Sequence, residues 1–450
     1  MPASMPSPPP PGRHHSDVPV PTGLVLSPVR GLRYAATRLP GGDIGPVTSP
    51  PYDVIDTDGV RVLEERHPHN VIRLILPRDE PNAPGSRYRR AADTLAGWRR
   101  DGVLCPDEQP ALYVYEESGV DEDSGTAHTQ RGLLGAVALA AADAGTVLPH
   151  ENTMAGPVAD RLALTAATEA NLEPIFLVYH GGGAASATVA AAGADGEPPL
   201  LTASTDDGLT HRLWAITDQA CLAEVARDLH PRRAVIADGH HRYATYLRHQ
   251  ADQHAGGAGA GPWDFGLALL VDASAFGPQV HAIHRVVRSL PVAKAVAAAG
   301  TAFQVERLTG PLPVALDRLT AARPNGYAFV LAGDDEYHLL TEPSATAMAA
   351  AVPAERSAAW RALDVTVAHS LLIASLWRLA DREDVVDFCP DAAEAVRAAT
   401  AAGGTALLLA PTPVEEVIAV AAAGERMPRK STLFMPKPRS GIVLRAYADN

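Results

Sequence analysis

Cysteine is nearly absent from this 450-residue chain: Cys105, Cys221 and Cys389 lie far apart and form no Cys-x-x-Cys pair. That argues against a disulfide framework or a cysteine-built zinc site and predicts a reducing compartment. Basic charge is also short, with 38 Lys and Arg against 52 Asp and Glu, for a formal net charge of −14. Phosphate-backbone binding depends on Lys and Arg, so this balance argues against nucleic acid or an anionic membrane as a partner. No apolar run reaches the roughly 18 residues of a membrane span, and the N-terminus lacks a basic flank followed by an apolar stretch. A cytoplasmic protein is therefore expected. Self-similarity at a period of about 20 to 50 residues is missing too, so a solenoid is not indicated.

The chain is longer than one core usually organises, so an α/β (α+β) architecture of several lobes is expected. Residues 1–22, rich in Pro and Ser with few large apolar side chains, cannot bury enough surface to order themselves and read as a tail. Residues 23–205 read as an N-terminal α/β lobe, 206–290 as a central phosphate-binding unit, and 291–450 as a C-terminal α/β lobe ending in a basic loop. In the first lobe, apolar runs at 71–76, 111–116 and 132–139 predict strands, and the spacing of Tyr88, Ala92, Leu95 and Trp98 predicts a core-facing helix over 88–100. A helix is expected from Asp160 to Leu172, a strand over 175–179, and a helix among loops within 181–205. A flexible Gly/Ala excursion at 255–261 precedes a strand over 265–272. Further strands are expected at 328–332, 337–341 and 405–410, with helices near 292, over 363–379 and over 392–402.

The densest chemistry lies in Ala237-Asp238-Gly239-His240-His241-Arg242-Tyr243. Val235 and Ile236 centre a buried strand, and Tyr243, Tyr246 and Leu247 share a helical stripe, so the polar run sits where a strand meets a helix. The first turn of such a helix leaves N–H groups unpaired and carries partial positive charge, which attracts phosphate or carboxylate. Gly239 would allow close backbone approach, and Arg242 would add a two-pronged grip. The plainer alternative is that either histidine caps the helix or faces water.

Other polar segments supply candidate partners. Pro50-Pro51 restricts the backbone before Tyr52 and Asp53, so Asp53 is either a fixed functional carboxylate or the acceptor of a local turn. Glu151 is a candidate general base or magnesium ligand, with His150 orienting it or touching phosphate. Asp160 and Arg161 near a helix start read as a surface ion pair or as a phosphate contact. Asn171 before Pro174 suffices to close a helix. Lys430, Lys437 and Arg439 concentrate positive charge in an acidic chain, and Phe434, Met435 and Pro436 between them favour a packed loop over a solvated one. His284-Arg285 is a weaker candidate of the same kind. Adjacent histidines diverge by about 100° on a helix, so joint zinc ligation by His240 and His241 is awkward, and no His-Glu-x-x-His is present. No metal site is assigned from protein residues alone.

The central run resembles the signature turn of the ParB/sulfiredoxin superfamily, in which a strand ends in a Gly-x-x-Arg-like segment and the next helix holds nucleotide phosphates. Residues 211–250 have the same order of strand, helix, strand, turn and helix. Sulfiredoxins carry a reactive cysteine where this chain has His240, which removes their chemistry. The helix-turn-helix and basic surface of DNA-binding ParB proteins are absent. Free serine kinases of the superfamily keep the Asp-Gly-x-His-Arg style of turn and are the nearest functional analogues. From about residue 26 to residue 447 the chain is also identified as a member of a large prokaryotic family of undefined function. The segments that carry this are Ser49-Pro50-Pro51-Tyr52-Asp53-Val54-Ile55, Asn70-Val71-Ile72, Pro149-His150-Glu151, Asp160-Arg161-Leu162, Asn171 with Pro174-Ile175-Phe176, the central turn, and Lys430 to Lys437.

The resemblance implies phosphoryl transfer from ATP or ADP, with magnesium, to a small hydroxyl metabolite, free L-serine first. His241 and Arg242 would hold phosphate oxygens. Asp53 or Glu151 would take the hydroxyl proton or hold magnesium, with His240 beside them, and Lys430, Lys437 and Arg439 would close over the phosphates. The alternatives are a metal-assisted phosphoesterase built on His150, Asp238, His240 and His241, and a non-catalytic nucleotide sensor. Oligomeric state is left open.

Overall fold

The structure is a computed structural model that describes residues 18–80, 83, 85–120, 127–194, 196–380, 382 and 385–450. Of the expected tail, residues 1–17 lie outside the described residues.

The first sheet is mixed and has nine strands. In spatial order these are Val147–Leu148, Ala234–Asp238, Ile175–Tyr179, Phe265–Asp272, Ala127–Ala138, Leu112–Val120, Thr210–Ile216 and Leu201–Ser204, with Leu26–Ser27 added beside Ala127–Ala138. Its central strands are apolar on both faces, as in Leu267 to Val271, because each face packs against a buried cluster and neither is left to water. A division at residue 205 would cut this sheet between Leu201–Ser204 and Thr210–Ile216, which are hydrogen-bonded neighbours. The Leu201–Ser204 strand was not expected, because a short polar-looking edge carries little periodicity.

The second sheet is antiparallel and has six strands: Gln304–Leu308, Glu336–Thr341, Ala328–Gly333, Thr405–Leu409, His284–Val287 and Val386–Cys389. Between the sheets the chain crosses twice, and the crossings pair as a ribbon of Gln279–His281 with Leu433–Met435. After the second crossing the chain returns to the first sheet's side, where Arg445–Ala446 pairs with Ala170–Asn171.

The His240–Ala255 helix packs on the first sheet through buried Tyr243 and Tyr246. The Tyr243 hydroxyl donates to the Ala140 carbonyl at 2.7 Å and accepts from the Ala140 N–H at 3.0 Å. Gly266 permits the close approach, since a Cβ there would stand 2.7 Å from the Tyr246 ring.

Three local expectations differ from what is found. Residues 71–76 form no strand but a buried helical turn, Ile72–Ile75. Asn70 accounts for it: Nδ2 donates to the Pro46 and Thr48 carbonyls while Oδ1 accepts from the Ile72 N–H, and a short apolar run cannot by itself distinguish helix from strand. The helix expected to start at Asp160 starts earlier, as Ala155–Thr168, so Asp160 and Arg161 sit in its interior. The segment over 363–379 is an α-helical turn, Asp364–Val367, continued by a π-helix, Ala368–Leu376.

Candidate active site

The Ala234–Asp238 strand ends at the cavity floor, and Gly239 turns the chain into the following helix at φ 88° and ψ 27°. That left-handed conformation favours glycine, and a Cβ there would stand 3.1 Å from Arg242 Nε. Among the described residues no side chain caps this helix start, which leaves its first-turn N–H groups and the positive end of its dipole to face a ligand. The cavity has a volume of about 310 Å³ and brings together Asp53, Glu151, Asp238 to Arg242, Lys430 and Lys437. Met154, Pro157, Ile283, Leu433 and Phe434 supply apolar walls.

Lys437 Nζ lies 2.7 Å from Asp53 Oδ2 and 2.7 Å from Asp238 Oδ1. Burial works to lower the lysine pKa, but Asp238 and Asp53 outweigh it and raise it, so the ammonium persists. Burial likewise works to raise the pKa of Asp53, and Lys437 with Arg242 overcomes it, so Asp53 stays ionised. Arg242 is only 4% exposed. Its Nη1 donates to the Pro174 carbonyl at 2.6 Å and its Nη2 to Asp238 Oδ2 at 2.5 Å, so these nitrogens brace the turn from beneath. Burial opposes its charge; Glu173, Asp238 and Asp53 restore it and raise the pKa.

Both histidines of the turn act as acceptors. His240 Nε2 receives the N–H groups of His150 and Glu151, each at 3.3 Å, and His241 Nε2 receives that of Met154 at 3.0 Å. An accepting Nε2 carries no proton, so each neutral ring keeps its proton on Nδ1. Burial, the largest influence on both, lowers their pKa values. The rings thereby hold the 150–154 segment, and with it Glu151, over the helix start. His150 is buried against the edge of His240, with ring centroids 4.6 Å apart, and burial lowers its pKa to about 4. Its Nε2 lies 3.0 Å from Thr432 Oγ1, so it meets the C-terminal loop.

Glu151 retains 31% of its side-chain surface. Burial, then the neighbouring Asp238 charge, pushes its pKa up to about 7 against the pull of Lys430 and Lys437. A carboxyl poised there exchanges a proton readily at neutral pH. Lys430 reaches the cavity from the other sheet's side, with its backbone at φ 53°. Arg285 Nη2 donates to the Lys430 carbonyl at 3.1 Å and meets His369 Nε2 at 2.9 Å. Arg285 is thus buried in the support of Lys430, and His284 accepts the Leu409 N–H at 3.2 Å.

Besides His150, which is buried behind His240, two candidate cations lie outside the cavity lining. Arg161 donates to the Ile75 carbonyl at 2.5 Å, pairs with Asp160, and lies 4.4 Å from the Tyr52 ring centroid. Arg439 donates to Thr48 Oγ1 at 2.7 Å and to Asp207 Oδ2 at 3.0 Å, beside a separate hollow. Among the described residues, no group of three or more His, Cys, Asp or Glu is placed to hold a metal. A larger hollow of about 790 Å³ beside Val25 to Arg30 and Ala260 to Phe265 lacks this concentration of charge.

Glu173 was not singled out in the sequence, yet its buried carboxylate accepts from the Tyr52 N–H at 3.0 Å and from Ser440 Oγ at 2.9 Å. A compositional signal for the lysines was available: the chain has three, Lys294, Lys430 and Lys437, among 38 basic residues, and two of them line the cavity.

Residues 26–366 match the family model described as "Protein of unknown function (DUF1015)". No curated protein matches the sequence. Among solved structures, similarity extends to a free serine kinase in complex with AMP, at 14% identity over 65% of this chain and 84% of that one, with a TM-score of 0.32. A variant of that kinase in complex with ADP matches at 14% identity over 70% and 92%, with a TM-score of 0.33. SbnI from Staphylococcus aureus, truncated at its C-terminus, matches at 12% identity over 68% and 84%, with a TM-score of 0.32.

Proposed function

The chain belongs to the DUF1015 family, and from the chemistry of its charged cavity we propose that it transfers a phosphoryl group from ATP or ADP to a small metabolite bearing a hydroxyl, with free L-serine the first acceptor to try. One observation carries the reading: an uncapped helix start and two lysines share a cavity with a carboxyl whose pKa lies at about 7. Phosphoryl transfer needs positioning and charge neutralisation more than covalent chemistry, and this inventory provides both.

In this reading the terminal phosphate lies against the N–H groups after Gly239, with Lys437 on one side and Lys430 at the mouth. The acceptor oxygen attacks the terminal phosphorus while the bond to the bridging oxygen breaks. Its proton passes to the Glu151 carboxylate, leaving a phosphate monoester and the shortened nucleotide. Asp53 and Asp238 aim Lys437, and Arg242 braces the turn. The histidine Nε2 atoms are already engaged, so any ligand contact from these rings comes through Nδ1–H. Magnesium would enter with the nucleotide and offset the phosphate charge; Lys437 already occupies Asp53 and Asp238, and Glu151 is kept for the acceptor proton. Nucleic acid is not a substrate in this account, given the net charge of −14.

The test is incubation with ATP or ADP, magnesium and a panel of amino acids and sugars including L-serine, followed by phosphorus NMR. An acceptor-dependent phosphate monoester, lost in Glu151→Gln, is the expected product. Inorganic phosphate released without an acceptor would instead indicate a phosphoesterase, and nucleotide binding with no turnover would indicate a sensor.

A further inference from the structure

Two loops far apart in sequence carry the charges that meet at the cavity: residues 49–54 bring Asp53, and residues 436–441 bring Lys437. Apart from the Lys437–Asp53 pair, their backbones meet among the described residues at one bridge, in which the Ser49 N–H donates to the Ser440 carbonyl at 3.2 Å and the Ser440 N–H to the Ser49 carbonyl at 2.9 Å. We propose that Glu173 is a positioning residue that sets the register of these two loops over the phosphate turn, and so places Lys437 between Asp53 and Asp238.

The geometry is that of a shared acceptor. Glu173 is 4% exposed, and its Oε1 alone receives both the Tyr52 N–H, next to Asp53, and the Ser440 hydroxyl, three residues after Lys437. The same segment is stitched to the helix after the turn. The Tyr246 hydroxyl donates to the Glu173 carbonyl at 3.3 Å, and Arg242 donates to that of Pro174. A buried carboxylate needs a compensating charge, and Arg242 provides it while also binding Asp238. Glu173 therefore connects the helix bearing the turn with both loops. Gln130 holds the Pro436 carbonyl at 3.2 Å, which fixes the start of the second loop but not its relation to the first.

This register belongs to the ligand-free protein and is tested without nucleotide, so its failure and the failure of the phosphoryl-transfer reading are separate results. The three lysines make the experiment clean. Exposed Lys294 is an internal control for acylation of the full chain by an N-hydroxysuccinimide acetate, read peptide by peptide by mass spectrometry. Acylation consumes the free amine, so the ion-paired Lys437 should react at least about tenfold more slowly than Lys294 in the parent protein. Glu173→Ala should speed Lys437 about fivefold and leave Lys294 unchanged, because an untethered loop surrenders both carboxylate partners. Glu173→Gln retains an acceptor oxygen and should keep Lys437 within about twofold of the parent rate. Ser440→Ala, which removes one donor without unbalancing a charge, should also speed Lys437, and it decides the matter if Glu173→Ala does not fold. A folded Glu173→Ala or Ser440→Ala protein with Lys437 still protected as in the parent would overturn the proposal, even if its melting temperature had fallen.

Discussion

Strand ends are used differently in the two sheets. The first sheet delivers Asp238 and Gly239 from the tip of a buried strand into a cavity that already holds Asp53, Glu151 and Lys437. The second sheet buries small residues under its helices, with Ala315, Ala395 and Ala399 packed against Val286, Val330 and Leu408. Its route to the cavity is indirect: Arg285 grips the Lys430 carbonyl, and the ribbon of Gln279–His281 with Leu433–Met435 ties the crossings together. Both sheets are buried on their two faces, so burial alone does not separate them. Chemistry follows from where polar groups emerge from that architecture.

The largest effect should come from removing the base. If Glu151 takes the acceptor proton, the rate should rise as pH passes through about 7, the value to which burial pushes its pKa, because only the ionised carboxylate accepts. Glu151→Gln should cost about 100-fold or more and abolish that rising limb. A pH–rate profile with the limb intact in the variant would place the base elsewhere.

A smaller pair of effects compares the sheets directly. Lys430→Ala should weaken nucleotide binding by about 1.5 to 3 kcal/mol, the range of a charge-assisted hydrogen bond. Arg285→Lys leaves the cavity lining intact but gives up the guanidinium fork that holds the Lys430 carbonyl, so it should cost under about 1 kcal/mol. Titration calorimetry on both variants ranks them. An Arg285 effect equal to that of Lys430 would mean that the second sheet contributes to the ligand directly.

The smallest effect concerns stability within the first sheet. Glu117 is 1% exposed, and burial pushes its pKa up to about 8 from the usual 4.5, even though Tyr115 and Gln130 donate to it. The folded chain therefore holds this proton more tightly than the unfolded chain, and the Glu117 contribution to stability is lost as pH rises from about 4.5 to about 8; the buried histidines His150, His211 and His284, held at about 4, act in the opposite direction only up to their usual 6.5, so the Glu117 effect stands clear above pH 7. Glu151 adds to the same slope up to about pH 7, beyond which the Glu117 contribution continues. Denaturant unfolding at pH 7 and pH 8 should show a decrease in the parent and a flatter response in Glu117→Gln.

Much of the first sheet was legible because its strands are fully buried and its turn residues are chemically distinctive. The strand over 265–272 coincides with Phe265–Asp272, and the strand–turn–helix around Gly239 was read from apolar runs flanking one glycine. Lys430 and Lys437 were readable from apolar neighbours unsuited to open solvent. The tertiary assignments were not. Glu173 sits between quoted segments and acquires its place only when two loops about 390 residues apart converge on it. Arg161 and Arg439 resemble ligand cations in the sequence, but adjacent Asp160 engages the first and Asp207, 232 residues distant, engages the second in the fold. The Ile72–Ile75 turn depended on Asn70 reaching carbonyls more than 20 residues away, which no local period records.

Calorimetric titration of ADP into the parent protein, with and without magnesium, and into Lys437→Ala and Lys294→Ala tests the account most directly. It predicts one nucleotide per chain, a loss of about 2 to 3 kcal/mol on removing the ammonium that sits between Asp53 and Asp238, and no change on removing exposed Lys294. Equal affinity in the parent and Lys437→Ala, or no binding of ADP or ATP by the parent at all, would contradict it.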